Sequence, residues 1–201
     1  METKTKQLKK DLLTWYTNNK RSFSWRNTND PWKVLLIEMI SQQTQINRAD
    51  TYYQKFIKRF PTPESMSKSS LKTILKMWSG LGYNNRAKRL YESSKLLAEQ
   101  GFEGIYPNFE ILPGVGPYTK NAILSFAYGD NVLAVDTNLQ RIIIRYFGID
   151  NTKDYLREYS DLLLESIKSE DLNQAFMDFG SSICTCLLYT SDAADDVISV
   201  D

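Results

Sequence analysis

The sequence predicts an all-α protein whose helices gather into two lobes around a cleft. Apolar residues recur at helical spacing along nearly the whole 201-residue chain. The connections between periodic stretches are short, as in other helical domains. No strand pattern stands out beyond the brief VLAV at 132–135.

The elements follow in order. Residues 4–19 form an amphipathic first helix, and RSFSWRNTND (21–30) is a polar loop. Asp30-Pro31 is a helix start: the aspartate caps free amides, and proline stands where its missing N–H costs nothing. The helix it opens, WKVLLIEMISQQ (32–43), is apolar on most sides. A helix over 47–59 stops at the PTP of 61–63, since proline supplies no donor. Another covers 70–78 and ends before Gly80-Leu81-Gly82; the next spans 84–99 and closes at Gly101. A short helix at 108–112 leads into a glycine turn, and a helix of 117–127 closes near Gly129. Further helices run over 137–147, 153–168 and 172–183. Residues 30–130 read as a central lobe, and 1–29 with 131–185 as a second. After Thr185 the periodicity stops. CLLYTSDAADDVISVD (186–201) reads as a non-native end on a truncated chain.

Composition narrows the chemistry. No apolar run approaches the roughly 18 residues of a membrane span, and METKTKQLKK is not an apolar leader. A soluble, cytoplasmic, nucleoid-associated protein without a membrane partner is expected. The chain has no histidine, which excludes His-based zinc sites and Ser-His catalysis. Cys184 and Cys186 alone complete neither a four-cysteine metal site nor a disulfide framework. Net charge is +1, but Leu71–Leu90 holds Lys72, Lys76, Arg86, Lys88 and Arg89 with no acid, which suits an anionic partner.

The turn in ILPGVGPYTKN (111–121) fits neither a dinucleotide fingerprint, lacking a third glycine and a preceding strand, nor a P-loop, lacking GK[ST]. What remains is helix, glycine turn, helix. Gly114 and Gly116 leave backbone amides open, and the helix begun at Pro117 favours an anion at its start. In a wholly helical protein that anion would be a nucleic acid phosphate, which positions without reading sequence; an ordinary tight helix-helix turn is the other reading. Two carboxylates stand out. Glu38 lies inside VLLIEMI, where burial would raise its pKa and make it a general acid. Asp136 follows VLAV at a helix start, whose amides would keep it ionised. Across a cleft, such a pair could protonate a leaving group and stabilise positive charge on a sugar.

Five motifs in order resemble the helix-hairpin-helix DNA glycosylases of base-excision repair, from about Ser24 to Cys184. They are IEMISQQTQI (37–46), WSGLGYNNRAKRL (78–90), LPGVGPYT (112–119), VDTNLQR (135–141) and NQAFMDFGSSICT (173–185). The wording leans toward the branch that removes adenine mispaired with 8-oxoguanine or guanine. The resemblance implies a monomer acting on double-stranded DNA with a mismatched or damaged base flipped from the stack. It implies that Glu38 protonates adenine N7 and that Asp136 stabilises an oxocarbenium-like sugar. Gln42, Gln43 and Thr44 match the segment that enters the duplex near the lesion, and Tyr83 a wedging aromatic. The turn at Gly114 and Gly116 would hold a phosphate, with Arg86, Lys88 and Arg89 sharing the load or serving as a solvated helix face. Tyr118 stands where the endonuclease III branch keeps a nucleophilic lysine, which implies a monofunctional glycosylase; Lys120 should point elsewhere.

Some residues depart from the pattern. Asn84 replaces a usual second aromatic, and VDTN is equally close to endonuclease III. A thymine or uracil mismatch glycosylase and a non-catalytic helical DNA-binding protein therefore stay open. The family normally holds a [4Fe–4S] cluster on four cysteines in its intact members. Cys184 matches the first and Cys186 does not fit the spacing, so this chain is expected to be cluster-free and poorly active.

Overall fold

The computed structural model describes residues 1–26 and 28–185. Among the described residues there are ten α-helices and no strand. The expected non-native end, with Cys186, lies outside them.

Helix α1 (Glu2–Asn19) is followed by a loop and then by α2 (Pro31–Ser41). The Asp30 side chain accepts from the backbone N–H groups of Trp32 and Lys33, with Pro31 in the first turn. The helix stops at Ser41, short of the expected 43, because Gln42 leaves helical geometry and Gln43 takes a left-handed φ of 50°. Helix α3 (Ile46–Arg59) stops before the prolines as expected and leads to a short helix that the sequence reading did not foresee, α4 (Pro63–Ser67). Pro63 stands at its first position, and Thr62 and Ser65 form a reciprocal capping box. Helix α5 (Leu71–Trp78) is capped by Ser70. Helix α6 (Asn85–Ile105) is broken at Gly101, whose φ of 70° and ψ of 164° are not helical, so its first stretch closes where expected and a second follows to Ile105.

A single 3-10 turn, Phe109–Ile111, precedes the glycine turn and α7 (Pro117–Ile123). The last part of the expected 117–127 helix widens into a π-type turn, Leu124–Tyr128, closed by left-handed Gly129. Helix α8 (Thr137–Phe147) matches its expected bounds. Helix α9 (Lys153–Leu164) ends four residues early, and α10 (Ser169–Ser182) starts three residues early. The extended 132–135 segment pairs with a side chain in place of a strand. Asn173 accepts from the Ala134 N–H at 3.0 Å and donates to the Val132 carbonyl at 2.9 Å.

Buried apolar side chains form two clusters. One surrounds α2, whose Leu35, Leu36, Met39 and Ile40 are wholly enclosed with Phe56, Phe60 and Trp78. The other joins Leu8, Leu12 and Tyr16 of α1 to Leu139 and Ile143 of α8, Leu163 of α9 and Phe176 of α10. The chain's first helix therefore packs with its last ones, and the 20–30 loop passes between the clusters.

That loop is fastened by a buried ion cluster. Asp178 of α10 is fully enclosed. Arg26 grips it with two bonds of 2.7 and 2.6 Å, and Arg21 adds its Nε at 2.8 Å and its backbone N–H at 3.1 Å. Burial pushes the Asp178 carboxyl up, but the bonds from Arg26 and Arg21 outweigh it and leave the group below its ordinary value. Phe23 lies under both guanidinium groups and stacks on Trp25 at 4.5 Å.

Removing one side of a buried ion pair strands the other. Asp178→Ala should therefore lose about 3–5 kcal/mol in urea unfolding at neutral pH. Because the folded value is depressed, the Asp178 contribution is fully present above the unfolded value and lost as pH falls through the folded one. The stability gap between wild type and Asp178→Asn should narrow on acidification; a gap that stays constant with pH would contradict this.

Candidate active site

A cavity of about 450 Å³ opens between the two clusters. Glu38 and Gln42 line it from α2, Tyr118 from α7, Asp136 and Asn138 from the start of α8, and Trp25 from the loop. Glu38 also borders a smaller cavity of about 60 Å³ beside Arg26, Glu170 and Gln174. A separate apolar groove at Leu8, Leu12, Ile142 and Phe179 shares no residue with either.

The packing of α2 explains the state of Glu38. Its neighbours Ile37, Met39 and Ile40 are buried, so the carboxyl meets little solvent except through the cavities. Desolvation raises its pKa from 4.5 to about 7; the Tyr118 hydroxyl partly opposes this by hydrogen bonding, and the charge of Asp136 adds to it. Tyr118 itself is pushed well above its ordinary value by burial and by the two carboxylates. The carboxyl at 38 therefore keeps a proton in a large share of molecules at neutral pH, and the phenol beside it stays protonated.

Asp136 caps α8. Its Oδ1 accepts from the Leu139 N–H at 2.8 Å, and its Oδ2 from the Asn138 side-chain amide at 2.7 Å. Helix amides had been expected to dominate its ionisation. Instead burial raises its pKa, with those hydrogen bonds and Arg141 pulling the other way. The bonds still favour the anion, whose charge adds to the desolvation that raises the Glu38 carboxyl. Of the pair, Asp136 ionises first.

Asn138 is held in turn. Arg141 Nη2 donates to Asn138 Oδ1 at 2.7 Å and to the Gly180 carbonyl at 2.7 Å, while its Nε donates to the Cys184 carbonyl at 2.8 Å. Gly180 makes the approach possible. A Cβ there would stand 2.5 Å from Asn138 Cβ and 2.8 Å from its Oδ1.

The remaining expected residues fall in three places. Gln42 faces the cavity, and its amide reaches the Gly114 carbonyl at 3.5 Å. Gln43 and Tyr83 project outward from neighbouring loops, Tyr83 at 65% exposure, both with left-handed backbones (φ 50° and 45°). Each such non-glycine residue costs about 1–2 kcal/mol unless its surroundings hold it. Thr44 turns its hydroxyl toward the Gln42 carbonyl at 3.2 Å. Gly114 has φ 88° and packs so closely that a Cβ would meet Met39 at 2.6 Å and Arg89 at 3.2 Å. Gly116 is exposed, and the first backbone bond of α7 is Lys120 N–H to its carbonyl. Lys88 and Arg89 are on the surface; Lys88 approaches Glu92 at 4.0 Å. Lys120 pairs with Glu110 at 3.0 Å, away from the carboxylates.

Arg86 is a correction. Expected beside Lys88 and Arg89 as a phosphate contact or a solvated face, it is 5% exposed. It shares the inward side of α6 with Ala87 and Leu90, and its guanidinium is taken up by backbone carbonyls. Sequence reasoning also missed Asp178, whose signal was a carboxylate inside the apolar run AFMDFG.

Among the described residues no three metal-binding side chains gather. The Cys184 thiol accepts from Arg145 at 3.4 Å, and it is the single cysteine described. That donor set does not fit a four-iron cluster.

A helical two-lobed protein with a half-buried acid sharing a cavity with a capped carboxylate is the class this geometry defines. The chain belongs to the HhH-GPD superfamily of base excision DNA repair proteins, whose family model matches residues 36–166. It is 40% identical over 182 residues to adenine DNA glycosylase of Buchnera aphidicola subsp. Baizongia pistaciae, covering 86% of this chain and 52% of that protein. It is 33% identical over 187 residues to adenine DNA glycosylase of Mycobacterium tuberculosis, covering 87% and 61%. The chain thus spans about half to three-fifths of the length of these two relatives. A solved thermostable thymine-DNA glycosylase superposes with TM-score 0.81 at 28% identity, covering 92% of this chain and 90% of that one. A trapped endonuclease III–DNA covalent intermediate gives TM-score 0.74 at 18% identity, with 93% and 89% covered, a likeness of fold.

Gly180→Ala should displace Asn138 and cost about 1–3 kcal/mol in urea unfolding, as overpacking does. In an Asn138→Gly background, where nothing obstructs the added methyl, most of that cost should vanish. Equal costs in both backgrounds would show that the contact is not the cause.

Proposed function

We propose that this chain is a monofunctional DNA glycosylase that releases adenine mispaired with 8-oxoguanine or guanine, acting as a monomer on double-stranded DNA. The observation that carries the proposal is the carboxyl of Glu38, protonated up to about pH 7 and facing Asp136 in one cavity. Glu38 donates its proton to N7 of the flipped adenine while the C1′–N9 bond breaks and its electrons pass to the base. Asp136, the first of the pair to ionise, stabilises the positive sugar until water adds at C1′ and gives up a proton. The Asp136–Asn138 bond supports this by fixing the carboxylate. Tyr118 offers no amine for a Schiff base, so the strand is left unbroken at an abasic sugar.

Gln43 and Tyr83 are read as the side chains that enter the duplex, with Gln42 and Thr44 shaping the same loop. The open amides near Gly114 and Gly116, with Lys88 and Arg89 nearby, suit a backbone phosphate. A second reading, release of thymine or uracil, is favoured by the likeness to the thymine-DNA glycosylase. The adenine reading rests on the higher identity of the adenine enzymes and on chemistry. N7 gives adenine a basic site for Glu38 to protonate, and thymine has none.

The test incubates the chain under single-turnover conditions with duplexes carrying A opposite 8-oxoguanine, A opposite G, and T opposite G. Adenine alone should be released, with breaks appearing only after alkali. Thymine release would move the assignment to the second reading, and no release would overturn it. Glu38→Gln should slow release about 100- to 10,000-fold while preserving duplex binding. Since Glu38 must be protonated, release should fall as pH rises through about 7.

A further inference from the structure

Arg86 is a cation buried among carbonyl oxygens instead of acids. Its Nη1 lies within hydrogen-bonding reach of the Ile40 carbonyl at 3.0 Å, the Gln42 carbonyl and Thr44 Oγ1 at 3.1 Å. Its Nη2 donates to the Leu81 carbonyl at 3.1 Å and the Gly82 carbonyl at 3.3 Å. The guanidinium also lies 5.2 Å from the Trp78 ring and 5.7 Å from that of Tyr83.

Two of these acceptors occupy telling positions. The Gln42 carbonyl belongs to the peptide unit that enters Gln43, and the Gly82 carbonyl to the one that enters Tyr83. Those are two of the three described non-glycine residues with positive φ. Their side chains are also exposed. One guanidinium therefore grips the peptide that sets each strained residue, one on the loop after α2 and the other on the loop before α6.

We propose that Arg86 is a positioning residue that sets Gln43 and Tyr83 as a matched pair, so that the two loops present their side chains to DNA together. The planar fork is what the task requires. Its two terminal nitrogens point to different loops at a fixed separation, which a lysine ammonium cannot reproduce. The second loop has further anchors, Arg48 to the Gly80 carbonyl and Tyr52 hydroxyl to the Ser79 carbonyl at 2.6 Å. Those tie it to α3; Arg86 ties it to the loop that carries Gln43.

The proposal rests on the reading that this face meets a duplex, but its first test needs no DNA. The Thr44 N–H is bonded to Ser41 and the Leu81 N–H to Trp78, so both report loop opening by hydrogen exchange. In Arg86→Lys, exchange at Thr44 and Leu81 should rise together, by about tenfold or more, while amides in the body of α2 stay as protected as in wild type. A rise at one loop only, or none, overturns the proposal. Should Arg86→Lys fail to fold, Thr44→Val removes one acceptor of the clasp from the first loop alone. It should still quicken exchange at Leu81, and an effect confined to residues 42–45 overturns the coupling.

On a duplex with 2-aminopurine beside the mismatch, Arg86→Lys should bind with little change in affinity or salt dependence. It should lose most of the fluorescence rise that reports unstacking and slow base release about tenfold or more. A lowered salt slope would make Arg86 a phosphate contact and overturn the proposal. Absence of base release by wild type would count against the proposed function, while the exchange result would still decide the clasp.

Discussion

Keeping one carboxyl group out of water is the constraint on which the rest of the structure depends. Glu38 is half-buried and opens only on the cavities, so its shielding depends on the enclosure of the rest of its helix: α3, α6 and α7 pack around it. That enclosure is why the helix is so apolar and why its start is fixed by Asp30 and Pro31. It also explains why the glycine turn lies so close, with Gly114 against Met39. The hairpin that suits a phosphate and the acid that suits a leaving base are thus registered by one contact. A side chain at 114 would push the two apart.

The polar interior is built from cations used as clasps. Arg26 and Arg21 join the 20–30 loop to Asp178 of α10, and that loop supplies Trp25 to the cavity. Arg141 holds Asn138, which holds Asp136. Arg86 holds two loops with no acid at all. In each case a planar group with several donors satisfies acceptors that would otherwise be buried without partners, at a stated separation and angle. The cavity walls come from helices of both clusters, α2 and α7 on one side and α8 and α10 on the other.

Much of this was legible in the sequence, and what was missed shares a cause. Asp30-Pro31, Asp136 and Gly129 act locally, within a turn of where they stand, and they marked helix ends well. Thr62 and Ser65 were as local but were hidden by prolines read as a stop, although Pro63 begins a helix. Gly101 was read as a terminus, and helical geometry does break there, but the further helical stretch beyond it was not foreseen. The apolar wrapping of Glu38 revealed a buried acid. No pattern along the chain shows that Tyr118 and Asp136 share its cavity, since that contact spans some hundred residues. Arg86 was misread for the same reason: a basic residue in a basic run looks solvated until the carbonyls of two distant loops are seen around it.

The central claim is that desolvation, with the nearby charge of Asp136 adding to it, raises the Glu38 carboxyl to about 7, so that a large share of it carries a proton at neutral pH. The most direct measurement is the titration of its ¹³C-labelled carboxyl by NMR in the free protein, assigned by comparison with Glu38→Gln. The account predicts a resonance that moves with an inflection near about 7. An inflection near 4.5, the ordinary glutamate value, would contradict it.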